Sequence, residues 1–385
     1  MKSRQEQARA TQNWMVAQRR HLHRHPEVGL ELPDTHDYLD GVLREFGLSP
    51  ERHDRSGLTV AISGSEPDGT TRVLRADMDA LPITERSGVE FSSERPGAMH
   101  ACGHDLHMAM LLGAARVFVD NPPRRDVVLA FQPGEESDRG ALQTLGHENL
   151  QLGRSAATAF AIHVHATLPP HSVHFTRGVF MAYGDWFGVE FTGSGGHAAR
   201  PESAGNPIEA AARFVLDSRR LVEEIARDEK VVATVTESII GNSVNVIPAA
   251  GRLRGTLRSL SAGQRDRLIS GLGDSVATAA AEFGVRGTFE LVEGYPAVHN
   301  DAKFVNRMLI RLGEVFGPEL LAPMTQPSMV IEDFAYFLDQ WPGAMVYLGA
   351  NVPGHESFNH SDDVMYDESV LSTGATMLLE AGDGF

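Results

Sequence analysis

Three short apolar runs constrain this chain more than anything else in it: "LTVAISG" at 58–64, "RVLRADMDA" at 72–80 and "DVVLAFQPG" at 126–134. Each is rich in Val, Leu or Ile and runs out at Gly or Asp, as buried strands do. Between the last two, "HMAMLLGAARVFVD" carries apolar residues around most of a helical surface, which suits a helix packed on a sheet. A fourth run, "SAATAFAIHVHATLP", follows. Strands alternating with helices predict an α/β layer structure with a central, mostly parallel sheet flanked by helices.

The texture changes near residue 182. "WFGVEFTGSGG" alternates like a half-exposed strand, and "NPIEAAARFVLDSRRLVEEIARD" reads as an amphipathic helix opened by Asn206 and Pro207. Two more strand patterns, a second helix and a final strand, "RGTFELVEGYP", complete a small sheet-and-two-helix unit. The predicted organisation is therefore a first segment at 1–182, an inserted α+β domain at 183–294, and a return to the first style at 295–385. At 385 residues the chain exceeds the usual size of a single core.

With 34 Lys+Arg against 51 Asp+Glu, the formal charge is −17, which argues against nucleic acid or an anionic membrane as partner. The opening "MKSRQEQARATQNWM" has no continuous apolar stretch, so neither leader nor anchor is expected, and a cytoplasmic protein is. A single cysteine cannot form an internal disulfide.

That cysteine, Cys102, lies in "MHACGHDLHMAM", two residues before His104. In an extended segment both side chains would leave the same face and reach one centre, a ligand pair that zinc accepts. On this fragment alone, a metal role and a buried structural cysteine stand equally open. Glu135 and Glu136 follow the strand "VVLAF" and a Pro-Gly turn, where one carboxylate can bind metal while its neighbour handles a proton. His163 and His165 share a face at the end of another apolar run, and His355 and His360 sit in the C-terminal loop "GHESFNHSDDV". His197 follows a Gly-rich stretch in the inserted domain.

The ordered set "HLHRHPEVGLELPDT", "LRADMDALPITE", "MHACGHDLHMA", "FQPGEES", "IHVHATLP", "GGHAARPE", "NVIP", "GTLRS" and "EDFAYFL" spans roughly residues 18 to 370. It resembles the amidohydrolase branch of the zinc aminoacylase/carboxypeptidase metallopeptidases, the group that contains hippurate hydrolase and the auxin-conjugate hydrolases. The resemblance implies a metallopeptidase-type catalytic domain interrupted by a satellite domain that mediates dimerisation, hence a homodimer. It implies Cys102, His104, Glu136, His163 and His360 as ligands of one or two divalent metals: zinc first, with manganese, cobalt or nickel as alternatives. Glu135 becomes the general base, and His197 a donor to the developing oxyanion in the partner's site. The implied reaction is hydrolysis of the amide bond of an N-acyl amino acid or similar conjugate. Asn245 and Arg258 are candidates for the substrate carboxylate. His165 and Glu202 depart from the family pattern and are candidates for lining the pocket.

Two other readings stay open at this level. Cys102 could be a nucleophile with His104 as its base, or the chain could bind acylated amino acids without cleaving them.

Overall fold

A computed structural model describes residues 2–53, 56–136, 139–227 and 229–385. Its contacts divide the chain into two units: Met1–Phe180 with His299–Gln326 and Glu332–Phe385, and Met181–Val298 with Pro327–Ile331. The short return Pro327–Ile331 falls within the third sequence segment and carries no compositional mark that the sequence reading could use.

The larger unit begins with helices α1 (Arg4–Ala10), α2 (Gln12–Arg24) and α3 (Pro33–Glu45). Its strands then follow as β1 (Glu51–Arg52), β2 (Leu58–Ile62), β3 (Thr71–Asp77), β4 (Val127–Gln132), β5 (Ala157–His165) and β6 (Val173–Phe175). Helix α4 (His104–Asp120) links β3 to β4. With the later strands Leu321–Pro323 and Gly343–Gly349 they form one eight-stranded sheet in the order β1, β2, β4, β3, β5, Gly343–Gly349, β6, Leu321–Pro323. The four central strands, from β4 to Gly343–Gly349, run parallel. Antiparallel β2 and β6 flank them. Covered on both faces, β4 is buried at every position, as its unbroken apolar run requires.

Fourteen of the seventeen residues of α4 are buried, which explains why its apolar residues circle most of the helix. It packs against α2 and against the C-terminal helix Leu371–Asp383. The approach to α2 is close: a Cβ on Gly113 would stand 2.2 Å from Met15 Sδ. Phe118, Phe131 and Phe160 are almost fully excluded from water in this core, each contributing about 1.5–3 kcal/mol by burial.

The smaller unit is an antiparallel sheet ordered Val231–Ile240, Ala250–Ser259, Tyr183–Thr192, Arg286–Tyr295. Burial alternates along Ala250–Ser259, so one face is apolar. Helices Pro207–Ile225 and Ala262–Glu282 cover that face through Phe187, Phe191, Phe214, Leu253 and Leu272. Asn206 caps the first helix by accepting the Ile208 amide at 3.1 Å, with Pro207 at the first helical position. Among the described residues, no helix is long and apolar enough to cross a membrane.

Candidate metal centre

The central strands all end on the same side, where open α/β sheets gather ligands. β3 stops at Asp77, β4 leads through Pro133 and Gly134 to Glu135 and Glu136, and β5 delivers His163. The Cys-Gly-His segment differs from the extended geometry expected of it. Cys102 lies in a turn, Gly103 has φ +85° as the N-cap of α4, and His104 is the first helical residue. Only glycine fits: φ is left-handed, and a Cβ at Gly103 would stand 2.4 Å from Val164 Cγ2. This turn, rather than strand periodicity, brings the two side chains together.

The five residues expected as ligands converge in two overlapping groups. Ligand atoms of Cys102, His104 and His163 all lie within 4.8 Å of one another, and so do those of Cys102, Glu136 and His360. Cys102 belongs to both. Its Sγ is 3.4 Å from His163 Nε2 and 3.2 Å from His360 Nε2. His360 Nε2 is also 3.3 Å from Glu136 Oε1. The group His104, Glu135, Glu136 satisfies the same criterion, so Glu135 stands beside the cluster.

Supporting hydrogen bonds fix which ring atoms face inward. His104 Nδ1 donates to the Asp79 carbonyl at 2.8 Å, and His163 Nδ1 donates to the Val164 carbonyl at 2.8 Å. Each ring therefore turns an Nε2 lone pair toward Cys102. His104 Nε2 is completely buried and has no hydrogen-bond partner among the described residues. An orphaned imidazole nitrogen beside a thiol, a carboxylate and two further imidazoles is the donor set a borderline-soft divalent cation takes. The residues fit the metal.

Asp79 also holds the acidic turn. Its Oδ1 accepts the Glu135 amide at 3.0 Å and its Oδ2 the Glu136 amide at 3.1 Å. His107 is a brace rather than a ligand. Its Nδ1 donates to Asp77 Oδ1 at 2.6 Å, while its Nε2 accepts the Val164 amide at 2.8 Å. Asp105 points away from the cluster, receiving Arg19 Nε at 2.7 Å and His23 Nδ1 at 2.8 Å.

Electrostatics separate the two glutamates. Burial, with Glu332 and Glu136 nearby, pushes the Glu135 carboxyl well up. Burial acts on Glu136 as well, but the His360 hydrogen bond and the charge of His104 outweigh it and leave that carboxyl lowered. Neighbouring carboxyls driven apart in this way suit a proton carrier and an anionic ligand. Burial and the charges of Glu136, Glu135 and Asp77 push the Cys102 thiol well up, which disfavours a free thiolate nucleophile and calls for a cation to stabilise the anion.

The remaining candidates have other settings. His165 packs edge-on to Tyr347, ring centroids 5.1 Å apart, and belongs to none of the ligand groups. His197, Glu202, Asn245 and Arg258 all belong to the smaller unit. His197 is exposed on the two-residue strand Gly196–His197, paired with Val246–Ile247. Its Nδ1 accepts the Ala199 amide at 3.1 Å, which puts the proton of the neutral ring on Nε2. Glu202 is exposed in the next turn, and Asn245 accepts the Ala198 amide on its carbonyl at 3.1 Å. Arg258 is half-buried, donates to the Leu257 carbonyl at 2.7 Å, and has no ion-pair partner among the described residues.

Residues not singled out from sequence also converge on the site. Arg75, Gln132, Glu332 and Asp333 form a buried hydrogen-bonded cluster behind Glu135. The one signal available was an acidic pair set in an apolar context, "VIEDFAYFL".

A parallel sheet ending in a cluster of Cys, His and Glu donors defines a class, the metal-dependent hydrolases. The family described as "Peptidase family M20/M25/M40" matches residues 73–382, and the chain belongs to it. It is a metal-dependent amidohydrolase and takes divalent metal. It is 32% identical over 378 residues to the N-acetyldiaminopimelate deacetylase of Oenococcus oeni, covering 96% of this chain and 97% of that one. It is 33% identical over 346 residues to the enzyme of the same name from Streptococcus suis, with 88% and 91% covered. Among solved structures, the Bacillus subtilis YXEP protein, a dinuclear metal-binding peptidase of the M20 family, superposes with a TM-score of 0.84 at 27% identity over 97% of this chain and 98% of that one.

Proposed function

We propose that the chain hydrolyses the amide of N-acetylated or similarly acylated amino acids at a two-metal centre. Cys102, His104 and His163 would hold one cation, Cys102, Glu136 and His360 the other, with the thiolate shared. The observation that carries this is the membership of Cys102 in both ligand groups. When bound, such a pair of cations acidifies a water and polarises the amide carbonyl. Zinc is the preferred occupant, on the thiolate and imidazole donors.

Glu135, beside the cluster and held by the Asp79 cradle, takes the proton from the attacking water. The new C–O bond forms, the C–N bond breaks, and Glu135 returns that proton to the departing nitrogen. His197 carries its neutral-ring proton on an exposed Nε2, the atom needed to donate to the carbonyl oxygen as charge grows there. It would do so in a second copy of the chain, which makes the working enzyme a homodimer. Arg258 and Asn245 would receive the substrate carboxylate, and His165 and Glu202 would line the pocket. The names of the deacetylase relatives support an acetyl group on a polar amino acid, and the fold and composition suit a cytoplasmic enzyme.

The test pairs elemental mass spectrometry with hydrolysis of a panel of N-acyl amino acids. One to two metals per chain, activity lost on chelation and restored by zinc, manganese, cobalt or nickel, and a Glu135→Gln variant that keeps metal but not turnover are expected. A metal-free chain that still hydrolyses the panel overturns the reading.

A further inference from the structure

One buried cluster has no part in the chemistry above. Arg75 on β3, with 1% of its side chain exposed, donates through Nη1 to Asp77 Oδ2 at 2.5 Å. Its Nη2 reaches Glu332 Oε1 and Asp333 Oδ1, each at 3.0 Å, and its Nε reaches Gln132 Oε1 at 2.9 Å. Carboxylate oxygens of Glu135, Glu332 and Asp333 lie within 4.8 Å of one another, all three residues buried. Asp77, Glu332 and Asp333 thus all bond one guanidinium, and Glu135 stands against the last two, all four residues being buried. Asp77 is held by His107 as well, but three close buried carboxyls, Glu135, Glu332 and Asp333, against that one guanidinium are too costly to remain fully ionised, so a proton belongs among them.

Glu135 also belongs to the group with His104 and Glu136, where a bound cation would favour its anion, so the proton falls to Glu332 or Asp333, and the hydrogen bonds decide between those two. Asp333 accepts from Gln132 Nε2 at 2.8 and 2.9 Å, from the Ala141 amide at 2.9 Å and from Arg75, which is the full complement of an anion. Glu332 accepts from Arg75 Nη2 and the Phe334 amide, both on Oε1, which leaves Oε2 to carry hydrogen. Burial, reinforced by Asp333 and Asp77 and opposed by Arg75, pushes the Glu332 carboxyl up to about 8, whereas Asp333 rises only to about 6.

We propose that Glu332 is a positioning residue for the general base: it is kept as a neutral carboxylic acid whose hydroxyl donates to the Glu135 carboxylate and fixes the base against the reacting water. The Glu332 proton is not transferred during turnover. The inference rests on Glu135 being the base.

The test is steady-state kinetics of the metal-loaded enzyme on the best member of the N-acyl amino acid panel. Glu332→Leu removes the donor and should lower kcat about 100-fold with KM and metal content unchanged. Glu332→Gln restores an N–H at the same place and should recover most of that loss. The parent should lose kcat as pH rises through about 8, because ionised Glu332 can no longer donate and repels Glu135; the Gln variant should lack that fall. A Gln variant as slow as the Leu variant, an unchanged alkaline limb, or loss of a metal equivalent in either variant overturns the proposal. Should the variants not fold, infrared spectroscopy of the unaltered holoenzyme decides. A protonated carboxyl band at pH 7 that vanishes above pH 8 is expected, and its absence at pH 7 refutes the idea. Glu135→Gln separates the layers: if it still turns over, the base assignment has failed, whereas an inactive Glu135→Gln beside an undiminished Glu332→Leu refutes the positioning role alone.

Discussion

Replacing Asp79 with alanine tests how the acidic turn is held. Its carboxylate accepts the amides of Glu135 and Glu136 at 3.0 and 3.1 Å in a fully buried setting. Alanine would orphan both amides, and each unsatisfied buried donor costs about 1–3 kcal/mol, or about 2–6 kcal/mol together. That penalty falls on the turn carrying the base and a proposed ligand, so it should appear as displacement of the turn before it appears as global unfolding. If only the lower end, about 2 kcal/mol, reaches the transition state, kcat drops about 30-fold. Metal affinity should weaken about 10–100-fold, since the turn also orients Glu136. Asp79→Asn should be impaired as well, because its amide nitrogen would face one of the two N–H donors. The assay is kcat at saturating metal, with a separate metal titration of the stripped protein. An Asp79→Ala enzyme within threefold of the parent in kcat and unchanged in metal affinity would refute the cradle argument.

Gly103→Ala puts a Cβ 2.4 Å from Val164 Cγ2 at φ +85°, costing about 1–2 kcal/mol for the left-handed backbone and about 1–3 kcal/mol for overpacking. Its metal retention after dialysis should fall well below that of Gly97→Ala, where φ is +80° but nothing lies within 4 Å; equal retention by the two would sink the steric account. Burial opposes charge on His23, but Asp105 at 2.8 Å and Glu85 at 3.1 Å outweigh it and raise the imidazole above its ordinary value near 6.5. A raised value means its contribution to stability is complete below pH 6.5 and disappears as pH climbs through the folded-state value. The urea midpoint of the parent should therefore fall on the alkaline side, and an identical fall in His23→Gln would show that another group is responsible.

Much of the architecture was legible because burial on both faces leaves a simple mark. The runs at 58–64, 72–80 and 126–134 became β2, β3 and β4, and Asn206 and Pro207 announced the helix they cap. The chemistry-bearing side chains were legible as residue types at strand ends. Their geometry was not: Cys102 and His104 meet through a left-handed turn at Gly103, which depends on Val164, a residue on another strand. The same holds for the parts that support the centre. Asp79 cradles a turn 56 residues further on, and Arg75 meets Glu332 across 257, so no local pattern distinguishes them from ordinary surface charges. His107 follows His104 by three residues on the same helix, and only its two hydrogen bonds mark it as a brace.

β3 last pairs with β5 at Arg75 and Ala161, yet β5 runs on to His165 beside Gly343–Gly349. Among the described residues, β5 has no strand paired on its β3 side from Ile162 onward, and the Val164 amide there is the one His107 closes. The centre therefore occupies a notch cut by unequal strand lengths, and the stopping point of β3 is as much a part of it as any donor atom. Insertions or deletions that lengthen or shorten that strand would register as lost metal in a chain that still folds.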